Sequence, residues 1–263
     1  MPALDFAAIA SAAESAADAA REQVLPRFRA VEVETKADGS PVTEADKAAE
    51  RAIRERLRAA FPGFAIHGEE YGAEGGGDGP CWMVDPIDGT IGFSRGIPLF
   101  STLIALLDGG EPVFGLIDLP GVGERYVGWR GGGCRRNGRP CRVSAETDLR
   151  RAIVSHGDPF CFDRWGARDA FLRMAREIPL LRGYTDAFGH AQVAGGGIGA
   201  MVDLDLNPWD AAPAQVLVPE AGGRCTTLRG PGGKLGLVFG SPALVEALLE
   251  LLELGPAASL LRG

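Results

Sequence analysis

Apolar residues recur at helical spacing near the start of the chain. Phe6, Ile9, Ala13, Ala16, Ala20, Val24 and Phe28 fall on one stripe and predict a long Ala-rich helix over residues 5–28. Pro26 bends or ends it, because proline lacks an N–H and its ring clashes with the preceding turn. A second helix is predicted from near Thr43, where TEAD precedes KAAERAIRERLRAAF, and it stops at Pro62-Gly63, leaving Asp46 in its first turns. AIHGEEYG reads as a short strand entering a loop, and CWMVD as a buried strand ending at Asp85. STLIALLDGGEPVFGLIDLP predicts a hairpin around Asp108-Gly109-Gly110, and RYVGWRGGGCRRNGRPCRVS a further pair of strands turned at Asn137-Gly138. Beyond about residue 146 the alternation resumes, with AIVSH as a strand, DRWGARDAFLRMAREI as a helix and DAFGHAQVAGGGIGAM as a glycine-loosened helix. GAEGGGDG (72–79) predicts a flexible loop. No internal repeat emerges.

Composition narrows the class. The 263 residues, 46% of them hydrophobic, suffice for a substantial core in one large domain or two small ones. A net charge of −8 offers no basic footprint, so neither nucleic acid nor an anionic membrane is an expected partner. The arginines at 135, 136, 139 and 142 cluster about the predicted turn and read as a solvated tip. Cys81, Cys134, Cys141, Cys161 and Cys225 are odd in number and never spaced C-x-x-C, which indicates neither a disulfide framework nor a thiolate zinc site. The N-terminal segment carries Asp5, Glu14 and Asp18 without a basic stretch, unlike a signal peptide. No run approaches the roughly 20 apolar residues of a spanning helix. These features predict a soluble, cytoplasmic protein.

The candidate chemistry lies in WMVDPIDGTIGF, residues 82–93. Proline fixes φ and glycine permits a sharp exit, so Asp85, the Ile87 carbonyl and Asp88 surround one tight turn. Hard oxygens converging there suit Mg²⁺, and further carboxylates are available at Asp46, Glu69, Glu70 and Asp210. The Gly89 and Thr90 amides open the next helix and form a natural phosphate cradle. A lone D-x-x-D-G turn is more often merely solvated. GEE, DPIDGT and WDAAP, each after an apolar segment, together point instead to a phosphoester site.

From Lys36 with SPVTEAD, through GEE, DPIDGT and WDAAP to PEAGGR, nearly the whole chain resembles the inositol monophosphatase family of Mg²⁺-dependent phosphomonoesterases. The resemblance implies an α/β fold of the αβαβα five-layer sandwich type over residues 1–263, in approximate halves 1–145 and 146–263, and a homodimer. It implies two or three Mg²⁺ ions held by Glu69, Asp85, the Ile87 carbonyl, Asp88 and Asp210, with direct attack of water on phosphorus. Asp88 and Asp210 would share the ion nearest the leaving group, and Glu69 and Asp85 would hold the ion that activates water. Asp46 matches a residue supporting that water, Thr90 a hydroxyl orienting it, and Glu70 an outer partner. Gly89 and Thr90 amides would take the phosphate, while Asp186 and Asp203 align with positions contacting the alcohol half of the substrate.

RGIPLF, the hairpin after it and LPGVGER resemble the histidinol-phosphate phosphatase branch, although Ile91-Gly92 stands where lysine-serine or threonine-asparagine is common. L-histidinol phosphate is therefore the expected small-molecule substrate, with inositol 1-phosphate as the alternative and an inactive metal- or phosphate-binding regulator less favoured. Without a dedicated second phosphate site or base-stacking platform, fructose bisphosphate and phosphoadenosine phosphate are less favoured still. The haloacid-dehalogenase motif D-x-D-G-T competes, but it separates its aspartates by one residue rather than two. His190, four residues after Asp186, either touches an imidazole-bearing substrate or simply packs. His67 and His156 read as structural, Arg95 as a solvated loop residue or one at the pocket mouth, and Trp82 and Trp209 as apolar walls of the site.

Overall fold

The computed structural model describes residues 4–36, 41–77, 79–253 and the backbone of 259–260. In chain order the elements are α1 (Phe6–Val24), β1 (Glu34–Thr35), β2 (Pro41–Val42), α2 (Glu44–Ala60), β3 (Ala65–Gly68), β4 (Gly72–Glu74), β5 (Cys81–Asp88), α3 (Thr90–Ser94), β6 (Ser101–Asp108), β7 (Glu111–Leu119), β8 (Glu124–Trp129), β9 (Gly133–Arg136) and β10 (Arg139–Pro140). There follow β11 (Val154–His156), α4 (Pro159–Trp165), α5 (Arg168–Glu177), β12 (Leu181–Arg182), α6 (Asp186–Ala194), β13 (Ala200–Leu206), α7 (Pro208–Glu220), β14 (Arg224–Arg229), β15 (Leu235–Gly240), α8 (Pro242–Leu252) and β16 (Ser259–Leu260). One sheet has eight strands in the order β10-β9-β8-β7-β6-β5-β3-β4, and a second has six in the order β12-β11-β13-β15-β14-β16.

Three hydrophobic cores, separated by the two sheets, produce the layers. One face of the large sheet, through Ile104, Leu106, Phe114 and Leu116, packs on Ile9, Ala16, Ala49 and Ile53 of α1 and α2. Its other face, through Leu103 and Ile117, packs on α6 and α7, which also receive Met201, Leu237 and Phe239 from the small sheet. The far face of the small sheet, with Val202 and Val238, meets Phe162, Met174, Leu244 and Leu248 of the outer helices. Alternate residues of β6, β7, β13 and β15 thus enter different cores. Coverage on both faces explains why the strands read as nearly continuous apolar runs. The result is an αβαβα five-layer sandwich whose middle core takes residues from both sheets.

Gly115 of β7 allows the central layer to close. A Cβ there would stand 2.8 Å from the Pro213 carbonyl oxygen and 3.0 Å from its Cα, so α7 backbone lies directly on the strand. Gly115→Ala is expected to lower stability by about 1–3 kcal/mol. Thermal unfolding would measure this, and an unchanged midpoint would show that α7 can withdraw freely.

Local backbone chemistry shifts several sequence-derived boundaries. The first helix ends at Val24, and Leu25–Arg27 continue as a 3₁₀ turn forced by Pro26, while Phe28 leaves the helix and packs on Phe93 and Phe100. The glycine run 131–133 adds a turn, so the segment around Asn137-Gly138 forms three strands rather than two. Gly166 adopts φ +76° and divides the helix expected over DRWGARDAFLRMAREI into α4 and α5. The next helix stops at Ala194, because Gly195 to Gly197 release the chain and Ala200-Met201 already pair in β13. GAEGGGDG is only partly loop: Gly72–Glu74 pair antiparallel with β3, and Asp78 lies outside the described residues, as does Ser40 of SPVTEAD.

Candidate active site

An irregularity in β5 creates the centre of the site. Asp85 pairs with Leu103 and Asp88 with Ser101, so three steps on β5 oppose two on β6. In a regular strand, residues three apart point to opposite faces; the extra residue in this bulge re-aims them. The strand therefore continues past Asp85, and its bulge brings Asp85 and Asp88 together with Asp210, each offering an oxygen within 4.8 Å of the others. The Ile87 amide donates to Asp85 Oδ1 at 3.0 Å, while the Thr102 hydroxyl anchors the Pro86 carbonyl at 2.8 Å. The Ile87 side chain is buried in the first core, leaving its carbonyl 3.0 Å from the Thr90 hydroxyl.

Two of the acids also terminate helices. Asp46 occupies the third position of α2, where its Oδ2 accepts from the Thr43 amide at 2.8 Å and the Thr43 hydroxyl at 2.6 Å. Its Oδ1 stands 3.3 Å from the Thr90 hydroxyl, whose single hydrogen serves either Asp46 or the Ile87 carbonyl. Asp210 plays the equivalent part in α7, accepting from the Asn207 amide at 2.8 Å. Each helix start fixes one carboxylate oxygen and leaves the other toward the site. Asp88 links the halves: its Oδ2 accepts from Ser101 Oγ at 2.8 Å and from the Ala187 amide of α6 at 2.7 Å.

Glu69 and Glu70 face Lys36, whose ammonium lies 2.8 and 2.6 Å from them. Glu50, absent from the candidate set read from sequence, holds this turn from below. Its buried carboxylate accepts from the Glu70 amide at 2.7 Å and from Arg54 Nε at 2.8 Å. Glu50 and Arg54, one helical turn apart on the buried face of α2, were the available signal. Gly68 makes room, since a Cβ there would come within 2.1 Å of Glu50 Oε1.

A cleft of about 490 Å³ opens beside these acids, lined by Glu69, Gly89, Thr90, Ile91, Asp158 and Asp186 among others. Gly89 enters α3 at φ +82°, and a Cβ there would approach Asp186 Oδ2 to 3.2 Å. Asp203 does not line the cleft; it is buried, and its Oδ2 pairs with His190 Nε2 at 2.8 Å. Trp82 does not wall the site. Strand alternation turns it into the first core against Phe61, Phe64 and Phe114, whereas Trp209 packs edge-on against His67. Arg95 is exposed at the end of α3, and His156 packs on Phe162 and Phe171.

The electrostatics call for a cation. Burial, then repulsion from Glu69, Asp88 and Asp210, drives the Asp85 carboxyl well above the usual range; burial, Asp186 and Asp210 do the same to Asp88. Burial pushes Asp210 up to about 7 against the opposing bond from the Asn207 amide. Asp46 is raised by burial against its bonds from Thr43, and Asp186 by burial and the nearby Asp203. Buried, mutually repelling carboxylates with only oxygen donors fit a hard divalent ion.

The inositol monophosphatase family model matches residues 4–255. The chain is 38% identical over 228 residues to the histidinol-phosphatase of Streptomyces coelicolor, covering 82% of this chain and 85% of that one. It is 36% identical over 241 residues to the histidinol-phosphatase of Mycobacterium tuberculosis, covering 89% and 92%. Among solved structures, the extragenic suppressor protein SuhB of Bartonella henselae superposes with a TM-score of 0.85 at 30% identity, over 94% of this chain and 99% of that one. Layer order, bulged aspartate turn and matched length lead to one assignment: the chain belongs to the inositol monophosphatase family.

Proposed function

We propose that the protein hydrolyses a small phosphate monoester, with L-histidinol phosphate as its substrate and L-histidinol as product. The observation that carries this reading is the cleft itself. It is lined by Glu69, Asp158 and Asp186 and by Gly89, next in the chain to Asp88 of the aspartate cluster, and none of the described residues lining it is lysine, arginine or histidine. Such a wall attracts an ammonium or imidazolium on the alcohol half and disfavours a second phosphate. The names of the two histidinol-phosphatase relatives support the same substrate.

Glu69, Asp85, the Ile87 carbonyl, Asp88 and Asp210 would hold two or three Mg²⁺ ions. When bound, these supply positive charge that neutralises the carboxylates and the phosphoryl oxygens and acidifies water. Asp46 keeps the Thr90 hydroxyl in place, and Thr90 with Glu69 orients the attacking water and receives its proton. Gly89 and Thr90 amides take phosphate oxygens at the start of α3. Asp186 meets the alcohol half directly, with Asp203 beneath it. We further propose one functional unit over residues 1–263, operating as a cytoplasmic homodimer.

The test is kcat/KM with Mg²⁺ for L-histidinol phosphate and myo-inositol 1-phosphate on one preparation. A preference for histidinol phosphate of about a hundredfold is expected, nearly 3 kcal/mol of differential transition-state binding. The reverse preference would make inositol phosphate the substrate, and no turnover of either would point to another phosphate ester or to the regulator.

A further inference from the structure

We propose that His190 is a positioning residue that governs which alcohol the cleft accepts, by pinning the Asp203 carboxylate between α6 and β13. This rests on the reading of Asp203 as part of the alcohol-binding end.

The contact is built from both sides. His190 Nε2 lies 2.8 Å from Asp203 Oδ2, with the two side chains only 1% and 6% exposed. On the other side, a Cβ at Gly157 would come within 2.0 Å of Asp203 Oδ1, so the carboxylate occupies space that any larger residue would take. The imidazole is held edge-on against Phe239 at 4.9 Å. The same helix carries Asp186 at its start, and its Ala187 amide donates to Asp88. Through α6, His190 therefore sets Asp203 relative to both the cleft and the aspartate cluster.

The position of the ring proton follows from the surroundings. Nδ1 is buried without a partner among the described residues. A buried orphan N–H costs more than an unfilled lone pair on a ring nitrogen. The proton therefore belongs on Nε2, where it is donated to Asp203, fixing that carboxylate's charge behind Asp186, which lines the cleft.

Two variants test this. His190→Phe preserves a flat ring and removes the donor, whereas His190→Gln places an amide N–H at the corresponding reach. With Mg²⁺, the ratio of kcat/KM for L-histidinol phosphate to that for uncharged glycerol 2-phosphate is expected to fall about tenfold or more in the Phe variant, mainly through KM. The Gln variant should keep it within about threefold. An unchanged ratio in the Phe variant, or equal loss on both esters, would overturn the proposal.

Should the wild-type protein show no preference for the amine-bearing ester, the substrate reading fails, and ring ¹⁵N spectra of the Mg²⁺-loaded protein judge His190 separately. The chain has three histidines, so the signals can be assigned by substitution. A protected Nε2–H that is lost in Asp203→Ala supports the pinning. An Nδ1–H tautomer in the wild type would refute it.

Discussion

Asp210→Asn is expected to reduce kcat about a thousandfold at saturating Mg²⁺ while leaving the fold intact. The amide oxygen of asparagine can still accept the Asn207 N–H that Asp210 now accepts at 2.8 Å, so the start of α7 keeps its cap. What disappears is one negative charge from a cluster in which Asp85, Asp88 and Asp210 offer oxygens within 4.8 Å of one another. Losing it weakens the hold on a divalent ion and relieves repulsion among the remaining acids. The metal-free variant should therefore unfold no earlier than the parent, and Mg²⁺ should raise its melting temperature less. Steady-state kinetics with a Mg²⁺ titration, alongside melting curves with and without Mg²⁺, test both parts. Near-parental kcat at saturating Mg²⁺ would remove Asp210 from the proposed ligand set.

The second large effect is on stability as a function of pH. Asp46, Asp85, Asp88, Asp186 and Asp210 all have raised carboxyl pKa values, as does Glu70, which burial pushes up to about 7 against its bond from Lys36. A carboxyl with a raised pKa binds its proton more tightly in the folded chain than in the unfolded one. The folded state is favoured below the ordinary carboxylate pKa of about 4, and that advantage is lost as pH rises through about 7. Lys36 is also raised, burial being outweighed by its bonds to Glu69 and Glu70, but its contribution is fully present below a lysine's ordinary pKa and stays constant in this window. The lowered, exposed acids Glu44, Glu74, Glu146 and Asp163 lose their contributions only in more acidic solution.

In the presence of a chelator, the melting temperature is therefore expected to fall between pH 5 and pH 8 by about 5–10 °C, corresponding to a few kcal/mol. Mg²⁺ should reverse the fall, with a larger increment at pH 8 than at pH 5, because it competes with protons for the same oxygens. Equal increments at the two pH values would show that Mg²⁺ binds elsewhere.

The helices and most strands are legible from spacing because a layered fold makes each element carry its own burial pattern. Ile9, Ala13, Ala16 and Ala20 mark one face of α1, and the capping signal at TEAD fixes the start of α2. Places where the reading slips, at Pro26, Gly166 and the glycine runs, are ones where backbone chemistry overrides side-chain periodicity. Trp82 faces away for a different reason: it stands three residues before Asp85 on a regularly paired stretch of β5, so strand alternation sends the two side chains to opposite faces. Glu50 left a signal that composition hides, a charged pair on the buried side of a helix.

Local order along the chain thus suffices for most helices, strands and caps, since each depends on residues within a turn or a strand of one another, whereas the five layers are legible only through the family resemblance. Tertiary structure alone decides the rest. It joins Asp88 to Ala187 across 99 positions, turns Asp203 toward His190 instead of the cleft, and brings Asp158 to the same cleft as Glu69. These juxtapositions arise from how two sheets and a shared helical layer pack, and packing couples residues whose separation in sequence carries no periodic signal.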